Sequence, residues 1–243
     1  YQFFQIFIRI FIQIKVREKV ERIQAVNITS AYGKKRVLCG VNLSAEAGQC
    51  VGIVGTNGCG KSTLLNILSG LRKADSGEIY FDGNKAQGRQ PFIQYVGYVP
   101  QENNLIPELS VMDNLRLWYS DTGALRQSIE QGFLNMLGIG SMCRMNAGKL
   151  SGGMKKRVSI GCALAGNPPV LILDEPDAAL DLPGKAEIRR YLGMYKQMGG
   201  TILIATHDEA DLALCDRIYA LNQGAGTELD RSLRGEALLR AIC

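Results

Sequence analysis

Histidine is almost missing from this chain of 243 residues, where His207 stands alone, and tryptophan also occurs once. A histidine-based zinc site is therefore excluded. The seven cysteines, Cys39, Cys50, Cys59, Cys143, Cys162, Cys215 and Cys243, include no CxxC pair to replace it. Their odd number and scattered spacing argue for reduced thiols, not a disulfide framework. No apolar run reaches the roughly 18 residues that a membrane-spanning helix needs. Long blocks of one charge are absent as well: 28 Lys and Arg face 23 Asp and Glu, and the net +5 is dispersed. With no basic cluster interleaved with aromatics, nucleic acid is not an expected partner. Long-period repeats and low-complexity stretches are lacking too. What is present is an ordinary globular composition, 46% hydrophobic and 21% charged, at a length that suits one α/β domain with a small insertion.

The opening departs from that composition. Tyr1 to Ile14 crowd Phe3, Phe4, Ile6, Phe7, Ile8, Ile10, Phe11, Ile12 and Ile14 among glutamines and one arginine. This is too short to span a bilayer and has no small-residue cleavage site. Residues 1–21 are expected to be an atypical, extraneous extension, with an interfacial membrane-binding segment as the alternative. From Arg22 onward, β-like runs occur at Ile23 to Ile28, Val37 to Leu43, Cys50 to Val54, Gly77 to Phe81 and Tyr95 to Val99. Helical runs follow around Ser110 to Trp118, Leu125 to Leu137 and Gly153 to Leu164. Val170 to Leu173 and Thr201 to Ala205 read as buried parallel strands joined by an amphipathic helix, Pro183 to Met198. The expectation is a single α/β domain over 22–243 with a helical insertion at about 102–165.

Gly55-Thr56-Asn57-Gly58-Cys59-Gly60-Lys61-Ser62-Thr63 fits GxxxxGK[ST] between a strand and a helix start. Glycines let the chain turn tightly and aim successive N–H groups at a β-phosphate. Lys61 reaches the β- and γ-phosphates, and the Ser62 hydroxyl is offered to Mg²⁺. A nucleoside triphosphate is the expected ligand, and a bulky adduct on Cys59 would block it.

Further along, four apolar residues end in Asp174 and Glu175, at the carboxyl edge of a buried strand where ligands of open α/β sheets sit. Asp174 is placed to hold Mg²⁺, and Glu175 to accept a proton from an attacking water. Ser151, with Gly152 and Gly153, opens a helix as a second anion site. One ligand cannot easily use both sites of one domain, so the second is better suited to another subunit's nucleotide. His207 directly follows a strand whose end should face the γ-phosphate, and Gln101 follows another, leads into the helical insertion, and is suited to sense Mg²⁺ or water with its amide and pass that state to the helices.

These ordered motifs resemble the nucleotide-binding subunit of ATP-binding cassette (ABC) transporters, from Arg22 to the end. The resemblance implies a P-loop NTPase fold with a mixed sheet core, an antiparallel β subdomain and a helical insertion. It assigns Gly55 to Thr63 as Walker A, Gln101 as Q-loop, Leu150 to Met154 as signature, and Asp174 with Glu175 as Walker B. Ala179-Leu180-Asp181 becomes the D-loop, His207 the γ-phosphate switch, and Tyr32 the ring that stacks on adenine. ATP and Mg²⁺ are the implied ligands. The implied partners are a second ABC ATPase subunit and integral membrane permease subunits, with this chain peripheral on the cytoplasmic face of the membrane. Met154 replaces the usual glutamine, and Asp177 stands where Thr or Ser is common, which would add a charge near the subunit interface. The Met-ended signature followed by Lys155-Lys156-Arg157 is similar to ATPases of ABC-2-type exporters, so export is favoured. An importer ATPase and a soluble, non-transport ABC switch are the alternatives.

Overall fold

The computed structural model describes residues 21–102, 104–178 and 180–242; the expected extension thus lies, Glu21 excepted, outside the described residues. Along the chain come β1 (Glu21–Tyr32), β2 (Lys35–Glu46), β3 (Cys50–Val54), α1 (Lys61–Leu68), β4 (Ser76–Phe81), β5 (Asn84–Lys85), α2 (Gln90–Tyr95) and β6 (Val96–Val99). A helical stretch follows: α3 (Val111–Arg116), α4 (Thr122–Gln131), α5 (Phe133–Met136) and α6 (Gly152–Ala163). Last come β7 (Val170–Asp174), α7 (Leu182–Gln197), β8 (Thr201–Ala205), α8 (Glu209–Leu212), β9 (Arg217–Asn222), β10 (Ala225–Leu229) and α9 (Gly235–Ile242).

One sheet is antiparallel, in the order β2-β1-β4-β5. The other runs β10-β9-β3-β8-β7-β6, parallel except for its edge strand β10. β3, β7 and β8 are buried at every position, and their unbroken apolar runs follow from having both faces covered. Alternate residues serve opposite faces: Ile172 and Leu203 pack with Leu64 and Leu65 of α1, Leu173 and Ile204 with Ile160 of α6 and Leu192 of α7. Each such burial stabilises by about 1.5–3 kcal/mol.

Three local differences from the sequence reading have physical causes. Tyr95 belongs to α2, not to a strand, because Tyr95 stacks on Phe81 at 4.8 Å and Phe92 meets the same ring edge-on at 5.5 Å, pinning a helical turn there. The run Leu125 to Leu137 is two helices, broken at Gly132, which is extended. β1 starts ahead of the expected Ile23, at Glu21, because Glu21 already pairs with Glu46 of β2.

Candidate active site

Gly55 leaves β3 with φ 155°, and a Cβ there would lie 2.4 Å from the Leu221 carbonyl oxygen, so only glycine makes this turn. Lys61, 6% exposed at the start of α1, donates to the Gly55 carbonyl at 2.9 Å and that of Thr56 at 3.4 Å. The next residue, Ser62, stands beside the Asp174 carboxylate at the end of β7. Burial raises the Asp174 pKa and the neighbouring Glu175 charge adds to this, against the lowering effect of Ser62, Lys61 and Lys156. A buried carboxylate beside a hydroxyl is a pair of hard oxygen donors, which fits Mg²⁺: that ion takes few protein ligands and completes its shell with phosphate and water.

Glu175 is the first residue past β7 and is left-handed, φ 45°, with its amide donating to Ala205 of β8 at 2.9 Å. For a glutamate this geometry stores about 1 kcal/mol or more. It takes the side chain out of the strand's alternation. The carboxylate then accepts from Gln101 Nε2 at 3.0 Å and stands 3.2 Å from His207 Nε2. Residues far apart in the chain, Gln101, Glu175 and His207, thus converge on one carboxylate.

The loop carrying His207 is braced. Asp208 pairs with Lys185 at 3.0 Å and Arg189 at 2.9 Å, both on α7. Partial burial alone would raise the Asp208 pKa, but the Lys185 bond, the Ala210 N–H and Arg189 hold it at about 2. Asp177 joins the same group, 3.2 Å from Lys185 and 3.7 Å from Arg189, and is 6% exposed. The charge expected at Asp177 is thus met inside this chain, by Lys185 and Arg189. Asp177 is turned inward because those two bases lie there, and burial together with Asp211 raises its pKa.

Tyr32 has the Arg72 guanidinium 3.9 Å from its ring centroid, and Arg72 is fixed by bonds to Ser30 Oγ and the Ala31 carbonyl. Tyr32 lines a cleft of about 630 Å³ with Asn57, Gly58, Gly60, Lys61, Ser62, Thr63, Gln101 and Glu175. Cys59 is partly exposed, next to Gly55. A second cleft, about 730 Å³, holds Ser151, Gly152, Gly153, Met154, Leu180 and Asp181 and shares no lining residue with the first. Ser151 caps α6 by accepting from Met154 N–H at 3.3 Å, and Asp181 caps α7 through Gly184 N–H at 3.0 Å. Ala179 lies outside the described residues.

Arg72, Lys156, Lys185 and Arg189 escape sequence reasoning. Lys156 alone carries a local signal, standing four residues before the buried Ile160 on the same face of α6.

A family profile described as ABC transporter matches residues 38–178. The lipoprotein-releasing system ATP-binding protein LolD of Porphyromonas gingivalis is 34% identical over 212 residues, 83% of this chain and 97% of LolD. The sulfate/thiosulfate import ATP-binding protein CysA of Neisseria meningitidis is 31% identical over 224 residues, 88% of this chain and 62% of CysA. The dimeric structure of MJ0796, a bacterial ABC transporter cassette, superposes with a TM-score of 0.76 at 32% identity, covering 88% of this chain and 99% of the cassette. The same cassette in a post-hydrolysis state bound to ADP and Pi gives 0.75. With the phosphate loop, the paired acids and the mixed sheet all in place, the chain belongs to the ABC transporter ATP-binding family and is an ATPase.

Proposed function

We propose that this chain is the ATP-hydrolysing subunit of a transporter and works as a face-to-face pair, each nucleotide held in the first cleft of one chain and covered by the second cleft of the other. The carrying observation is that the two anion-binding turns of one chain line clefts with no residue in common. Tyr32 stacks on the base, while Gly55 to Thr63, with Lys61 foremost, hold the phosphates. Ser62 and Asp174 would hold Mg²⁺, with Gln101 beside them, and the ion when bound neutralises charge on the β- and γ-oxygens. Glu175 accepts the proton of the attacking water, oriented by Gln101 and His207, and His207 reaches the γ-phosphate. Ser151, Gly152, Gly153 and Asp181 complete the other chain's site.

Glu175→Gln is expected to lower turnover by at least about 100-fold while an ATP-bound dimer accumulates on size exclusion. A variant that stays monomeric at saturating ATP would overturn the shared site.

A separate membrane partner is supported by a groove of about 380 Å³ between the core and the helical insertion, edged by exposed Leu71, Ile93 and Trp118. Among the described residues no helix is long and apolar enough to cross a membrane. The chain would sit peripherally on the cytoplasmic face, with the partner's helix in this groove. LolD and CysA are named for release and import respectively. The run Met154-Lys155-Lys156-Arg157 favours export for this chain.

A further inference from the structure

Lys156 of α6 is 1% exposed. Burying an ammonium costs several kcal/mol unless its donors are matched. Among the described residues no carboxylate pairs with it directly, and its Nζ donates to two backbone carbonyls, those of Pro100 at 3.1 Å and Gln101 at 3.0 Å. Burial lowers its pKa to about 8, while Asp174 and Asp177 favour its charge from farther off. Those carbonyls belong to the segment that leaves β6 and carries Gln101 to Glu175. One turn before Lys156, the same helix begins at Ser151, Gly152 and Gly153. The helix is tied to β6 at its other end too: a Cβ on Gly97 would lie 2.3 Å from the Ala163 carbonyl oxygen, so strand and helix are in backbone contact.

We propose that Lys156 is a positioning residue that fastens the Gln101 segment to α6, so that the state sensed by Gln101 in a chain's own cleft sets the pose of the Ser151 to Gly153 turn it offers to the other chain. This rests on the shared-cleft reading and adds a coupling element to it. Lys156 touches neither nucleotide. Its part is to make the two clefts of one chain answer to each other.

The test uses the Glu175→Gln chain with and without Lys156→Met, which keeps the unbranched stem and removes the donors. Two quantities are read: the affinity for a fluorescent ATP analogue at a protein concentration too low for pairing, and the ATP concentration giving half-maximal dimer. Affinity is expected to hold within about twofold, while half-dimerisation needs about 10-fold more ATP, the effect of one charge-assisted bond. Lys156→Gln, with a single amide donor group, should fall between. A cooperative thermal melt checks that the fold survives the loss of the donor to the Pro100 and Gln101 carbonyls. Unchanged half-dimerisation overturns the inference, and so does an equal loss in affinity and dimerisation. Failure of Glu175→Gln alone to dimerise would instead strike the shared-cleft reading, and this inference with it.

Discussion

Asp177, Asp208 and Asp211 share Lys185 and Arg189, leaving one more acid than base in a largely buried group. The deficit falls on Asp177, whose folded pKa is raised by burial and by Asp211. A carboxyl raised in this way contributes stability below its unfolded pKa, and that contribution is lost as pH rises through the folded value. Asp177→Asn should therefore compare more favourably with the parent chain at pH 8 than at pH 4, by about 2–4 °C in Tm. Melts at the two pH values check this, and a larger loss at pH 8 would mean that the pairs with Lys185 and Arg189 outweigh burial. Asp208 behaves oppositely, since its stabilisation persists until pH falls toward about 2. The candidate site residues were legible because a phosphate loop and a strand ending in two acids are local patterns. Lys156 and Arg72 were not. Their partners lie 56 and 41 residues away, a separation that no short window of sequence encodes.

At the scale of elements, buried strands were the most readable feature, since β3 and β8 fall on the apolar runs themselves. β9 and β10 go beyond the expected elements, although Ile218 to Leu221 ahead of Gly224 is a readable hairpin signal. The start of β6 was hidden because aromatic contacts with Phe81, not local propensity, keep α2 helical through Tyr95. The helical insertion matters most for its outer edge. Trp118, just past α3, is 59% exposed beside the groove, a large apolar area left to solvent. Trp118→Asp should leave ATP affinity within about twofold, since the residue is remote from the phosphate loop, yet abolish recovery of an integral membrane protein with the chain from native membranes. Unchanged recovery would place the docking surface elsewhere.

For the molecule as a whole, the two hydrophobic clusters are built on opposite faces of the same strands, β3, β7 and β8. Neither can come apart without exposing the other, so a single melting transition is expected. Nucleotide at about 100 times its Kd should stabilise the Glu175→Gln chain by about 2.7 kcal/mol, or about 5–10 °C in Tm. Scanning fluorimetry with and without MgATP measures this. Two separate transitions, with only one moved by nucleotide, would show that the helical insertion unfolds independently.

Two clefts with no residue in common also fix how activity scales with abundance. If every working site takes half its parts from each of two chains, then free chains meet as a second-order process, and at low concentration the rate falls with the square of the protein present. Halving the amount would leave a quarter of the turnover. Anchoring both chains to one membrane assembly lifts that penalty by raising their local concentration, so the membrane partner would act as an activator simply by keeping the two halves together.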